Sequence, residues 1–171
     1  EADPEEPPSE GRRVALPSMT YTDLLTTDSV ILDLQGGDAD EVLGLLADQL
    51  VKQDPALDGR RDELYEALRE REARGSTGQQ GVGIPHVKFA GAEKVSVVIA
   101  VHQEGIDFRA LDGEPIHVFF SVVRPEEGAE EHLGILRWIA GIASHQDFVG
   151  FSRQATEPAQ VLDLLSELSP A

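Results

Sequence analysis

The stretch IHVFFSVV, residues 116–123, consists mainly of β-branched and aromatic residues, a composition typical of a buried strand. The stretch VSVVIAV, residues 95–101, has the same character and predicts a second strand. A third strand is predicted over VILDL, residues 30–34, because Gly36 and Gly37 close this short apolar run. These segments are the expected strands of a central sheet.

Four further segments repeat apolar residues at the spacing of an α-helix. Asp38 and Glu41 have the spacing of a capping box at the start of the first helix, and Asp58 is the predicted N-cap of the second. Pro158 suits the first turn of the last helix, predicted over Glu157–Leu168. The faces of the other three helices consist of Val42, Leu43, Leu46 and Leu50; Leu64, Leu68 and Arg71; and, within Ala129–Ser144, His132, Leu136, Ile139, Ala140 and Ala143. Because helices alternate with strands, the pattern predicts an α/β domain whose sheet is covered on both faces.

The charge balance is strongly acidic, with 32 Asp and Glu against 14 Lys and Arg and a net charge of −18 over 171 residues. Such a charge repels phosphate backbones and anionic lipid, which argues against nucleic acid and a membrane surface as partners. No apolar stretch approaches the ~20 residues that a membrane-spanning helix needs, so no membrane insertion is expected. The absence of cysteine excludes disulfides, thiol catalysis and thiolate metal sites, and it fits a reducing cytoplasm.

Residues 1–17 are rich in proline and acidic side chains and contain few large apolar groups. They therefore predict a disordered tail, and the first ten residues lack the basic and apolar regions of a signal peptide. We expect one domain over residues 18–171 and a cytoplasmic location.

A polar, glycine-rich loop at residues 75–81 leads into VGIPHVK, residues 82–88. Glycine lets the backbone approach a ligand closely, and Pro85 fixes φ at the residue before His86. A histidine held in this way is a candidate nucleophile for phosphorus, because neutral imidazole attacks near pH 7 and then holds the group as a labile phosphoramidate. Phosphoryl transfer also needs donors around the phosphoryl oxygens. The candidate donors are Arg71, Ser76, Thr77 and His132.

The charge around this loop favours an anion site. Between residues 69 and 94 the chain has five basic and three acidic side chains, a local excess of +2 in a chain of net charge −18. We therefore expect an anion to bind in this region rather than elsewhere on the surface.

Several short motifs follow one another in a characteristic order. They are Arg71-Glu72, Gly75-Ser76-Thr77-Gly78, Ile84-Pro85-His86, Ile106-Asp107-Phe108, Leu111-Asp112-Gly113, and Pro125 with His132-Leu133. This series resembles the fructose/mannitol-type enzyme IIA domain of the bacterial phosphoenolpyruvate-dependent sugar phosphotransferase system, most of all its nitrogen-regulatory branch. The resemblance extends from about residue 21 to residue 168. It implies a three-layer α/β/α sandwich around a mixed central sheet, which agrees with the predicted pattern.

The resemblance also implies a function. His86 would accept a phosphoryl group from the phosphocarrier protein HPr, or from its nitrogen-branch homologue, and pass it to a IIB component or a regulatory target protein. His132 and Arg71 match the second histidine and the arginine that line the family's pocket. The implied activity is that of a phosphotransferase with a phosphohistidine intermediate, and no cofactor or metal is expected. No IIB, IIC or transporter segment is attached in this sequence, which favours a regulatory member.

Two other functions stay open. The loop from Thr77 to Pro85 is one residue shorter than is usual in the family, so the alternative is a non-catalytic interaction module that keeps the fold and binds a partner. A metal hydrolase that uses His86 and His132 is the weaker alternative, because no His-x-x-His or His-x-x-x-His pair is present. The remaining histidines, expected to be structural, are His102, His117 and His145.

Overall fold

A mixed five-stranded sheet lies at the centre of the structure, a computed structural model that describes residues 21–169. The strands are β1 (Val30–Ile31), β2 (Val82–Gly83), β3 (His86–Lys88), β4 (Ser96–Ile106) and β5 (Ile116–Arg124). The helices are α1 (Ala39–Gln53), α2 (Arg61–Ala73), α3 (Ala129–Ala143), α4 (Phe148–Gln154) and α5 (Pro158–Leu168). The predicted tail over residues 1–17 lies outside the described residues.

The strand order is β1-β4-β5-β2, and β3 also pairs with β5. β4 and β5 are antiparallel, whereas β1 pairs with β4, and β2 and β3 with β5, in the parallel sense. Val82 lies opposite Val118 and His86 opposite Val122, so β2 and β3 follow one another along the same side of β5. The short interruption between these two strands comes immediately before His86.

Successive residues of a strand point to opposite sides, so β4 and β5 place apolar side chains on both faces of the sheet. Helices cover both faces. Val98 of β4 and Phe119 of β5 belong to one buried cluster, together with apolar residues of α1 and α2. Val97 of β4 and Phe120 of β5 belong to the other, together with residues of α3, α4 and α5. The predicted three-layer α/β/α sandwich around a mixed sheet is therefore confirmed.

The start of α1 follows the prediction and the start of α2 does not. The carboxylate of Asp38 accepts the backbone N–H of Glu41 at 2.9 Å and caps α1. The predicted cap of α2 at Asp58 is wrong, because Gly59, with a φ of +79°, turns the chain first and the helix begins only at Arg61.

The buried face of α3 is rotated slightly from the predicted one. Ala140, predicted to be buried, is exposed. The buried residues are His132, Ile135, Trp138, Ile139 and Ile142. His132 thus lies at the start of the face that packs against the sheet.

Two predicted strand boundaries also differ. The strand expected over residues 30–34 is reduced to β1, although the N–H of Leu34 still donates to the carbonyl of Val101 at 3.0 Å. β4 continues beyond the predicted end at Val101 to Ile106, with an irregular register between these two residues. The short elements β3 and α4, of three and seven residues, were not predicted, because neither is long enough to show a period.

The core under α2 provides a test of the fold. Leu68, one turn before Arg71, is fully buried, so replacing it by alanine removes apolar contacts and leaves a cavity. We expect Leu68→Ala to lower the free energy of unfolding by about 2–5 kcal/mol in urea denaturation. Leu111→Ala is the matched control, because Leu111 is 73% exposed and its loss should change stability by no more than about 0.5 kcal/mol. Equal effects of the two substitutions would contradict this packing.

Candidate functional site

His86 is the first residue of β3 and is held there by its neighbour in the sequence. The carbonyl of Pro85 accepts two hydrogen bonds from β5, one from the backbone N–H of Val122 at 3.0 Å and one from the hydroxyl of Ser121 at 3.1 Å. Pro85 also has a fixed φ. The backbone that carries His86 is therefore attached to the central sheet rather than to a free loop.

The imidazole of His86 is oriented by its own backbone. Its Nδ1 lies 2.6 Å from the carbonyl oxygen of Ile84. A carbonyl only accepts hydrogen bonds, so Nδ1 carries the proton in this contact. In the neutral ring the lone pair is then on Nε2.

His132 lies beside His86, with 5.5 Å between the ring centroids and 45° between the ring planes. It is 9% exposed, and its Nδ1 is buried with no hydrogen-bond partner among residues 21–169. Burial, with smaller contributions from His86 and the charge of Arg124, lowers the pKa of His132 to about 4. The pKa of His86 is also lowered, by burial and by the charge of Arg71, although its bond to Ile84 opposes the shift. Both shifts favour the neutral ring at pH 7.

The two histidines open into a cavity of about 430 Å³ that we call the basic cavity. Four of its lining residues are cationic and one is acidic. The charged residues are Arg71, Arg74, Lys88, Arg124 and Glu70. With an excess of positive charge around two neutral imidazoles, the basic cavity suits an anion.

Sequence reasoning missed Arg124 as a site residue. Arg124 ends β5 and lies opposite Lys88 of β3 in the strand register. Its Nη1 donates to the carbonyls of Pro125 and Glu126 at 2.9 and 3.1 Å, whereas its Nε is buried and has no partner in the described part of the chain. An N–H of a guanidinium always donates, so this group is a buried donor without an acceptor on a residue that lines the cavity. The sequence feature that could have identified Arg124 is its position directly before Pro125, where the strand pattern ends.

The structure brings together three of the five residues singled out in the sequence. Arg71 lines the basic cavity with His86 and His132, and its Nη1 donates to the carbonyl of Gly75 at 3.1 Å. The hydroxyls of Ser76 and Thr77 are bonded within the loop and its surroundings. Ser76 donates to the carbonyl of Phe108 at 3.0 Å, and Thr77 donates to the carboxylate of Glu72.

His102 and His117 lie outside this cavity. Nε2 of His102 is 2.8 Å from the carbonyl of Gly36, and its Nδ1 accepts the N–H of Gly105 at 3.0 Å. His117 donates from Nδ1 to the carbonyl of His102 at 3.0 Å. These bonds stabilise the irregular end of β4, the structural role that the sequence suggested.

Within residues 21–169, no group of three or more His, Asp or Glu side chains is arranged to hold a metal ion. Over the same range, no helix has the length and apolarity needed to cross a membrane.

A family model described as "Phosphoenolpyruvate-dependent sugar phosphotransferase system, EIIA 2" matches residues 23–168. The chain therefore belongs to this family of enzyme IIA domains, as the motifs predicted. Family membership supports a phosphocarrier or regulatory role for the chain, and a IIA domain is a phosphotransfer component of that system.

Individual relatives carry both sugar-transport and regulatory names. The fructose-specific EIIA component of Haloferax volcanii is 38% identical over 109 residues, 63% of this chain and 71% of the relative. The crystal structure of nitrogen regulatory protein IIA-Ntr from Neisseria meningitidis has a TM-score of 0.77 at 26% identity and covers 84% of this chain and 97% of its own. The complex of IIA-mannitol with phosphorylated IIB-mannitol from Escherichia coli contains a chain with a TM-score of 0.65 at 16% identity. The match covers 84% of this chain and 97% of that one, and it is a similarity of fold alone.

The low pKa of His132 predicts how stability depends on pH. Between about pH 6.5 and pH 4 the unfolded chain binds a proton at this histidine that the folded chain does not. The free energy of unfolding should therefore fall as the pH is lowered through this window, with at most about 3 kcal/mol coming from His132. Urea denaturation of the wild type and His132→Gln at several pH values measures the difference, since glutamine does not titrate. An identical pH dependence of the two proteins would contradict the prediction.

Proposed function

We propose that this chain is a phosphohistidine carrier in which Nε2 of His86 receives a phosphoryl group from HPr or its nitrogen-branch homologue. The group then passes to a IIB component or to a regulatory target protein. The observation that carries the proposal is the 2.6 Å contact between Nδ1 and the Ile84 carbonyl, which leaves the Nε2 lone pair available as the nucleophile.

The transfer step needs no proton movement at His86. The lone pair of Nε2 forms the new N–P bond while the donor's bond to phosphorus breaks, and the electron pair of the broken bond stays with the donor. The ring becomes cationic, and its Nδ1–H continues to donate to the Ile84 carbonyl, which stabilises the positive charge. Because burial lowers the pKa of His86, the neutral, nucleophilic form is favoured before transfer.

The basic cavity supplies the electrostatic part of the mechanism. Arg71, Arg74 and Lys88 surround the place where the charge of the phosphoryl oxygens would lie. Arg124 and neutral His132 each bring a buried nitrogen that has no partner within residues 21–169. We propose that these two groups hydrogen-bond the phosphoryl oxygens, so that the incoming group satisfies polar atoms that are otherwise buried without a partner.

The proposed acceptor follows from the family. IIA-mannitol of Escherichia coli forms a complex with phosphorylated IIB-mannitol, and we propose that this chain serves a corresponding IIB component or a regulatory protein. A relay that starts from phosphoenolpyruvate operates in the cytoplasm, which is the location we propose for this chain.

Replacing His86 tests the proposal directly. Incubation with phosphoenolpyruvate, enzyme I and HPr should add one acid-labile, base-stable phosphoryl group to the wild type, measured as a mass shift. His86→Ala should take up none, because the nucleophilic nitrogen is missing. His145→Ala should be labelled like the wild type, since His145 is exposed and does not line the basic cavity.

Labelling of His86→Ala would contradict the assignment of the nucleophile. A folded wild-type protein that takes up no label would instead favour the non-catalytic interaction module.

His132 provides a separate prediction about the cavity. If it donates a hydrogen bond to the phosphoryl oxygens, His132→Ala should still be phosphorylated on His86, but roughly 10²–10³-fold more slowly. His132→Gln keeps an N–H donor and should recover part of the rate. Rapid-quench measurement of the label gives these rates, and an unaltered rate in His132→Ala would show that the cavity acts through its arginines and lysine alone.

A further inference from the structure

The hydroxyl of Thr77 lies between a carboxylate and a backbone amide. It donates to Glu72, whose two carboxylate oxygens are both 3.1 Å away, and it accepts the N–H of Ile84 at 3.0 Å. The backbone N–H of Thr77 donates to the same carboxylate at 2.7 Å. Because Glu72 belongs to the last turn of α2, Thr77 connects that helix to the edge of the sheet.

The peptide between Ile84 and Pro85 is consequently held from both ends. Thr77 bonds the N–H of Ile84, and β5 bonds the carbonyl of Pro85 through Val122 and Ser121. This peptide carries the Ile84 carbonyl, which is the group that bonds Nδ1 of His86. The direction of that carbonyl therefore depends on Thr77 on one side and on the sheet on the other.

We propose that Thr77, itself held by Glu72, is a positioning residue that fixes the Ile84 carbonyl and so keeps the proton of His86 on Nδ1 and the lone pair on Nε2. The position of the proton on His86 is a property of the unphosphorylated protein. Only the expected effect of Thr77 on the rate of phosphoryl transfer rests on the proposed function. The hydroxyl has one hydrogen, which it donates to Glu72, so none remains for a phosphoryl oxygen. Thr77 thus acts through the backbone instead of as the phosphoryl-binding donor expected from the sequence.

Glu72 is suited to hold this loop. Its carboxylate is half-buried, and burial raises its pKa, whereas the N–H and O–H of Thr77, the charge of Arg71 and the hydroxyl of Ser76 oppose the rise. A carboxylate taken out of water is stable only when donors satisfy it. The same need keeps Thr77 in place, because it supplies two of those donors.

The test replaces Thr77 by valine, which keeps the shape of the side chain without its hydroxyl, and by serine, which keeps the hydroxyl. Ser76→Ala is the matched control, because the hydroxyl of Ser76 interacts with the same Glu72 carboxylate and bonds the Phe108 carbonyl and the Gly78 N–H, whereas the Ile84 N–H is bonded by Thr77. Long-range ¹H–¹⁵N NMR spectra of the unphosphorylated protein identify the protonated nitrogen of His86. We expect Nδ1–H alone in the wild type, Thr77→Ser and Ser76→Ala, and a mixture of both tautomers in Thr77→Val.

The second measurement is the rate of phosphoryl transfer from phosphorylated HPr. We expect Thr77→Val to lower kcat about tenfold, the factor that corresponds to one hydrogen bond of about 1.4 kcal/mol. The KM for HPr should be unchanged, because the substitution alters the nucleophile and not the surface that meets the donor. Thr77→Ser should restore most of kcat.

Two results would overturn the proposal. One is a folded Thr77→Val protein in which the proton of His86 stays wholly on Nδ1. The other is a raised KM with an unchanged kcat, which would make Thr77 a docking residue.

If Thr77→Val does not fold, Glu72→Ala replaces it. In that variant the Thr77 hydroxyl can still accept the N–H of Ile84, but it no longer has the Glu72 carboxylate as its acceptor. A smaller shift toward the second tautomer is expected there, and its absence would count against the proposal. If the wild type takes up no phosphoryl group, the proposed function fails, while the tautomer measurement still decides the role of Thr77.

Discussion

The hydrogen bond between Nδ1 of His86 and the carbonyl of Ile84 is the constraint on which the site depends. It links a reactive side chain to a backbone group two residues earlier. The geometry of the hydrogen bond is therefore set by the backbone conformation between these two residues. That path is short and contains Pro85, which has one rotatable backbone angle fewer than other residues. The bonds from β5 to the Pro85 carbonyl then tie the segment to a fully buried part of the sheet. A site built on a strand in this way needs little reorganisation before it reacts.

The electrostatics of the protein differ between long and short range. At long range a net charge of −18 repels small anions, although salt screens this field beyond roughly 8 Å at physiological ionic strength. At contact distance, the cations around the basic cavity dominate, and burial lowers the pKa of both imidazoles, which favours their uncharged forms. The arrangement separates nucleophilicity, which needs a neutral ring, from charge stabilisation, which the permanently charged arginines provide.

Much of the fold could be predicted from the sequence, because β4, β5 and α1 have strong periodic patterns and bury them as expected. The elements that were missed are short or depend on partners distant in the chain. β3 has three residues, and only its pairing with β5 makes it a strand. At the site, the motif order identified His86, His132 and Arg71, which share one cavity in the structure. Arg124 was not identified, because its place opposite Lys88 follows from strand register, which a local pattern does not reveal.

The hydrogen bonds of Ile84 also affect how the edge of the sheet can pair with another chain. β2 and β3 form one edge of the sheet, and an open edge with free N–H and C=O groups is a template for pairing with another chain. At the break between these strands, the N–H of Ile84 is occupied by Thr77, its carbonyl by His86, and Pro85 has no N–H to offer. This part of the edge therefore presents no ladder to an approaching strand. The bonds that orient the imidazole also remove pairing groups from this part of the edge, which disfavours edge-to-edge pairing there.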